Sequence, residues 1–379
     1  MPNNKKPAEK IPPKQEESNP TLELIKRLTQ IPGPSGYETR AGLAAGEELA
    51  PFATEVKVDN MGSVVAFKRG LSTEKSSKRK KILLAAHLDE IALLVTAIEP
   101  GGFLRFTQVG GFDARVLLGQ EVLLHPVGRY GLETKISLPG IIGAKPPHFQ
   151  TADESGRVIP MEDLYIDLGL DEAGTKAKVS IGDLATLRMP FINLINERAA
   201  GKAMDNRACV AVMVQTLEIL NKCYHRWDVY AVATVQEEVT GLGALTATFD
   251  IHPDIGIAID VTHGDMAGVP ENETFSIGKG PTITIGPNIH PSVAEKLKKV
   301  ARKEEIPHQI EPCAGITGTD AVDIQISREG IPTGLLGLPL RYMHTPVETL
   351  AVVDVERSSR LLARFIQDLD DINLEWKDN

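Results

Sequence analysis

Glu237 and Glu238 stand side by side where an apolar run, residues 229–235, ends inside the stretch WDVYAVATVQEEVTGLGA. Two adjacent carboxylates at the end of a buried strand oppose each other's ionisation unless something cationic receives them. Successive side chains leave a strand in different directions, so one glutamate can grip a metal while its neighbour faces a substrate water. Taken alone the pair says little, because adjacent acids are common on solvated surfaces. Other stretches add to it. KILLAAHLDE, residues 81–90, is an apolar run that ends in His87 and Asp89. Spaced by two, these point to one side of a strand, so Asp89 either reaches the same site or lies behind the imidazole and orients it; the plain alternative is a satisfied core histidine. IGIAIDVT places Asp260 at the end of another apolar strand, and GKAMDNR places Asp205 at a helix start, where a simple cap is the rival reading. His344 follows the last strand-like run, IPTGLLGLPLRYMH.

Brought to one face of a sheet, these residues supply two histidines and several carboxylates. That is the donor set of a pair of divalent metals such as zinc, cobalt or manganese, joined by a bridging carboxylate. Two such ions clamp a water, lower its pKa and stabilise the oxyanion of an attacked carbonyl. A carboxylate left over from ligation then acts as the base, and adjacent Glu237 and Glu238 can divide the two tasks. Spacing does not decide which ligand belongs to which metal.

The elements that must position these residues are legible as alternating strands and helices, the signature of an α/β sheet whose ligands bind at the carboxyl ends of its strands. Residues 1–19, rich in Lys, Pro and Glu, read as a disordered tail. Asn19 and Pro20 read as the cap and first turn of a helix. A second helix is expected over residues 39–49, and a strand pair over 54–67 turning at 59–62. From 91 to 193 the texture changes to short β-like runs punctuated by Gly and Pro, as expected of a small β-barrel inserted into the α/β part. The expected division is therefore a tail at 1–19, a catalytic domain at 20–90 and 194–379, and an insertion at 91–193 that shapes a pocket or an oligomer interface. A basic helix over 292–304 reads as a solvated outer layer, and a helix over 355–369 as core packing.

The chain has 379 residues and a formal net charge of −10, which argues against a general nucleic-acid or anionic-membrane binder. The basic stretch at 75–81, KSSKRKK, reads as a solvated loop between strands. Its three cysteines, Cys209, Cys223 and Cys313, form no CxxC pair and are read as small buried apolar residues in a reducing compartment. With no apolar leader and no run long enough to span a bilayer, a cytoplasmic location is expected.

From about residue 21 to 365 the sequence resembles the tetrahedral, dodecameric co-catalytic metalloaminopeptidases, often called glutamyl, leucyl or deblocking aminopeptidases and sometimes labelled cellulases. The motifs that carry the resemblance are AAHLDEIALLV, GGFDARVLLGQEV, GIIGAKPPH, MEDLYIDLGL, GKAMDNRACVAV, TVQEEV, AIDVT, GTDA and RYMHTPVE. The resemblance implies a phosphorylase/hydrolase-like three-layer catalytic domain split by the β-barrel, peptide substrates, and dimers assembling to a dodecamer. It also implies one metal on His87, Asp205 and Asp260 and a second on Asp205, Glu238 and His344, with Asp205 bridging, Glu237 as general base and Asp89 orienting His87. The sequence departs from the family after TVQEEV, where TGLGA lacks the Arg of the commoner Gly-Leu-Arg-Gly-Ala, and at Asn206, where a second Asp is frequent. The alternatives are a deacylase acting on N-acylated peptides and an assembly protein that has lost catalysis. A glycosidase ranks last, because its two carboxylates would have to flank a sugar rather than hold metals.

Overall fold

Residues 19–71, 79–130, 136–153, 156–370 and 372–376 are described by the computed structural model. All of the expected tail except Asn19, and residues 75–78 of the basic loop, lie outside them. Asn19 caps α1 (Pro20–Thr29) by accepting from the Thr21 N–H at 2.8 Å, and Pro20 occupies a first turn that needs no donor. α2 (Thr39–Leu49) follows, and then β1 (Glu55–Val58) pairs antiparallel with β2 (Val64–Lys68). Their turn is shaped by the Asp59 carboxylate, which accepts from the N–H groups of Met61, Gly62 and Ser63. β3 (Lys81–His87) completes the first α/β portion.

The chain then makes β4 (Ala92–Ile98), β5 (Leu104–Val109), β6 (Glu121–His125), α3 (Val127–Tyr130), β7 (Leu138–Ala144), β8 (Leu164–Asp167), α4 (Glu172–Lys178) and β9 (Leu184–Leu187). The six strands close in the order β4-β5-β8-β7-β6-β9 into a barrel with its own apolar core, including Val95, Leu104, Val122, Ile142 and Ile166. Closure removes the exposed edges that such short strands would otherwise present. β10 (Ile192–Leu194) and β11 (Arg198–Gly201) lead to α5 (Met204–Asn221), β12 (Asp228–Thr234), α6 (Leu242–Ile251), β13 (Ile255–His263) and β14 (Thr282–Ile285). The last elements are α7 (Pro291–Lys303), β15 (Gln309–Pro312), α8 (Asp320–Gln325), β16 (Thr333–Leu340), β17 (Glu348–Ala351) and α9 (Val352–Gln367). β10, β11 and β17 form a small antiparallel sheet.

The main sheet has the order β1-β2-β12-β3-β13-β16-β14-β15, with β12, β3, β13 and β16 mutually parallel at its centre. Strands buried on both faces read as continuous apolar runs, which is why these four were visible in the sequence. Alternation in β3 divides the core: Ile82, Leu84 and Ala86 join the cluster of α1, α5 and α9, while Leu83 and Ala85 join Ala247 of α6 and Ile324 of α8. The result is a helix–sheet–helix layering. Register sets the level of the chemistry, since Thr234 pairs with His87, Asp260 with Gly337, and Ala258 with Ala85, so Asp260 comes level with His87.

Several expectations shift. β13 runs three residues past Asp260 to His263, and β16 stops at Leu340, leaving His344 on a turn with φ of 60° rather than at a strand end. Only Cys209 is buried; Cys223 and Cys313 are partly exposed, and all three thiols are free. Among the described residues no helix is long and apolar enough to cross a membrane.

Candidate metal centre

His87 sits at the end of β3 with its ring fully buried, between the carboxyl-terminal edge of the sheet and the start of α5. Its Nδ1 lies 3.1 Å from the Asp89 carbonyl oxygen and 3.4 Å from Asp89 Oδ1, while Nε2 faces Asp205 Oδ1 at 3.1 Å and Asp260 Oδ1 at 3.9 Å. Asp89 therefore lies behind the imidazole, the second of its two sequence readings. It does more than touch the ring. Its two carboxylate oxygens accept from the backbone N–H groups of Glu237 at 3.0 Å and Glu238 at 3.1 Å, and from Ser35 Oγ at 2.6 Å.

Asp205 presents its two oxygens in two directions: Oδ1 toward His87, and Oδ2 toward His344 Nε2 at 3.5 Å. Ala203 is the cap residue of α5, the backbone at Asp205 and Asn206 is non-helical, and the Asp205 carboxylate faces the two imidazoles rather than the N–H groups of the helix. His344 Nε2 also lies 3.4 Å from Glu238 Oε2. The ligand atoms of His87, Asp205 and Asp260 lie within 4.8 Å of one another, and so do those of Asp205, Glu238 and His344. Glu237 belongs to neither triad, although its Oε2 stands 3.6 Å from His87 Nε2.

Burial, with Asp260, Asp320 and Asp205 close by, pushes Glu237 up to about 10 in spite of the His87 imidazole. Burial likewise drives Asp260 well above the carboxylate range and raises Glu238. Asp205 is held low against its burial by hydrogen bonds from His344 and His87, and those to Asp205 and Glu238 lift His344 to about 11. Burial first, and repulsion between neighbouring carboxylates second, thus oppose the ionised form of several acids here. Nitrogen and oxygen donors in two such triads fit borderline divalent cations, whose charge removes that repulsion.

Supports that spacing did not reveal hold the cluster. Glu38 accepts from the N–H of Gln236 at 3.1 Å, so that Glu38 and Asp89 between them hold three successive backbone donors leading into the glutamate pair. Gln236 has φ of 60°, a conformation that costs energy without such anchors. Glu348 accepts from the N–H groups of Asp205 at 3.2 Å and His344 at 3.0 Å, linking the two residues from behind. Beneath them the buried Lys202 ammonium pairs with Glu90 at 2.7 Å. Glu348 was present in the quoted RYMHTPVE stretch, but nothing in its spacing marked its role. At the TGLGA departure the chain turns on Gly241, with φ of 68°, where an added Cβ would lie 2.1 Å from Asp323 Oδ2. At the second departure Asn206 donates to the Ile259 carbonyl at 2.9 Å.

The cluster opens into a cavity of about 640 Å³ lined also by Thr262, Glu311, Thr317, Asp323, Gly337 and Met343. Comparison with known proteins gives this geometry a family. Residues 62–361 match the M42 glutamyl aminopeptidase family. The chain belongs to that family. A lysyl aminopeptidase of Pyrococcus furiosus is 35% identical over 352 residues, which are 92% of this chain and 97% of the relative. An aminopeptidase from the archaeon Desulfurococcus kamchatkensis has a TM-score of 0.83 at 37% identity, covering 94% of this chain and 96% of its own. The TET1 peptidase of Pyrococcus horikoshii, described as able to assemble into a tetrahedron or a large octahedral shell, has a TM-score of 0.78 at 32% identity, covering 92% and 100%. The M42 chain is thus a peptide-bond hydrolase of the aminopeptidase class, and its sheet and closed barrel are those of the tetrahedral aminopeptidases.

Proposed function

We propose that this aminopeptidase is a cytoplasmic, dinuclear metalloenzyme that releases N-terminal residues from peptides. The observation that carries the reading is the pair of donor triads sharing Asp205, one with His87 and Asp260, the other with Glu238 and His344. Divalent ions held there supply Lewis-acid chemistry, making water acidic near neutral pH and offsetting negative charge on a carbonyl oxygen. The mixed donors accept zinc, cobalt or manganese.

The remaining work belongs to the chain. Glu237, outside both triads and lining the cavity, would be ionised once divalent charge offsets the neighbouring carboxylates, and would then take a proton from the attacking water and return it to the leaving amine. Asp89 fixes the His87 ring through Nδ1 and, with Glu38, fixes the backbone from which Glu237 and Glu238 project. Glu348 holds Asp205 and His344 in register with each other. We also propose the division into a catalytic domain at 20–90 and 194–379 and an insertion at 91–193; the barrel strands, spanning 92–187, support it.

The test is hydrolysis of aminoacyl-anilides and matched N-acetylated peptides by chelator-stripped protein before and after zinc, cobalt or manganese is restored. Metal-restored cleavage of free N-termini alone is expected. Cleavage confined to blocked substrates would make the enzyme a deacylase instead.

A further inference from the structure

The cavity in front of the cluster carries acids that neither the triads nor the proton carrier use. None of its described lining residues is a lysine or arginine. Glu311, on β15, stands out because its carboxylate is oriented entirely by hydroxyls: Thr262 Oγ1 donates to Oε1 at 2.7 Å, and Thr282 Oγ1 donates to Oε2 at 2.6 Å. Thr284 Oγ1 adds a longer contact to Oε2 at 3.4 Å. Hydroxyl donors fix a carboxylate without cancelling its charge. Among the described residues no cation forms an ion pair with it, and Asp323, lining the same cavity, has none either.

Position makes this charge relevant to substrate choice. Thr262 lies two residues beyond Asp260 on β13, and Gly337 is the partner of Asp260 on β16. A Cβ added at Gly337 would lie 3.1 Å from Glu311 Oε2 and 2.2 Å from Thr282 Oγ1. Glycine therefore leaves room for the Thr282, Glu311 and Thr262 side chains over β16, which brings the Glu311 carboxylate beside the strand next to Asp260, about one strand spacing, ~4.8 Å, to its side. The attacked carbonyl of a peptide must lie at the cluster, and its α-ammonium, bonded to the neighbouring carbon, stays there with it. The side chain of the first residue then extends into the cavity that Glu311 and Asp323 line.

We propose that Glu311 is a specificity-determining residue that receives the cationic side chain of a first-position lysine or arginine, so that peptides with basic N-termini are the preferred substrates. This inference rests on the aminopeptidase reading of the same cleft. A carboxylate placed there opposes an acidic first residue by like-charge repulsion and leaves an apolar one without a partner for the half-buried charge.

The test compares lysyl- and norleucyl-anilides, which differ at the end of the side chain by the ammonium group, in the metal-loaded enzyme and in Glu311→Gln. In the wild type, kcat/KM is expected to be at least tenfold higher for the lysyl substrate, and glutamyl-anilide is expected to be the poorest. In Glu311→Gln the lysyl-to-norleucyl ratio is expected to fall at least tenfold. A wild type that cleaves both equally well, or a variant in which both rates fall by one factor, overturns the proposal while leaving the aminopeptidase reading in place; the second pattern is that of a group holding the α-ammonium or the fold. No cleavage of any aminoacyl-anilide by metal-loaded wild type overturns both readings. Because the wild-type comparison needs no variant, the proposal stays testable even where Glu311→Gln fails to fold.

Discussion

Glu237 and Glu238 are neighbours in sequence, yet the site treats them differently: Glu238 stands 3.4 Å from His344 within a donor triad, while Glu237 belongs to neither triad. Under the role proposed for it, replacing Glu237 with Gln keeps shape and removes the proton-carrying group. Turnover is expected to fall by ~10²–10⁴-fold, with bound metal, measured by plasma mass spectrometry, unchanged. Loss of metal in that variant would move Glu237 into the ligand set. Glu348 makes a different prediction, because it acts through backbone N–H groups of Asp205 and His344. Glu348→Ala is expected to weaken metal affinity by ~10–100-fold, read by competition with a chromogenic chelator, and activity at saturating metal should largely return. Failure of excess metal to restore activity would assign Glu348 a more direct part.

At the scale of elements, the barrel holds a buried histidine that belongs to neither donor triad. His125, at the end of β6, is buried between Ser137 Oγ at 3.0 Å and Thr186 Oγ1 at 2.9 Å. Burial pulls its pKa down to about 4 from 6.5. A depressed histidine favours the fold while it is neutral; in the unfolded chain it takes up a proton below about 6.5, so this stability is present above that pH and drains away as pH falls toward 4. Between pH 7.5 and 5 the loss is about 2 kcal/mol. In urea denaturation, His125→Asn is expected to lose that much less than the wild type over the same interval, and identical pH dependence in both proteins would contradict it. The sequence made the β3, β12, β13 and β16 strands legible because strands buried on both faces are uniformly apolar, and Asn19-Pro20 announced α1 through cap chemistry. It did not reveal Glu38 or Glu348. Their partners are the backbone N–H groups of Gln236 and His344, each with φ of 60°, and of Asp205, where the backbone is non-helical, and such irregular geometry leaves no periodic trace. The end of β16 differs for the same reason: Tyr342 through His344 continue the composition of a strand, while Tyr342 and His344 have φ of 58° and 60°. Cys223 and Cys313 were placed by residue type alone, and position proved stronger than type.

On the scale of the whole molecule, the relative from Pyrococcus horikoshii can assemble into a tetrahedron or a large octahedral shell, and we propose a homo-oligomer of dimers, a dodecamer, for this chain. Light scattering after size exclusion is expected to give about twelve times the mass of one chain; a monomer mass at working concentration would refute the proposal. Assembly and chemistry are separable, however, and the central claim concerns chemistry: two ions, joined through Asp205, serve one cleft. The most direct measurement is a titration of chelator-stripped protein with zinc or cobalt, following bound metal by mass spectrometry and hydrolysis of an aminoacyl-anilide in the same samples. Activity that reaches its plateau at two bound ions per chain is the expected result. A plateau at one ion, with a second that binds without effect, would contradict the shared-carboxylate account, and full activity with no metal bound would remove it altogether.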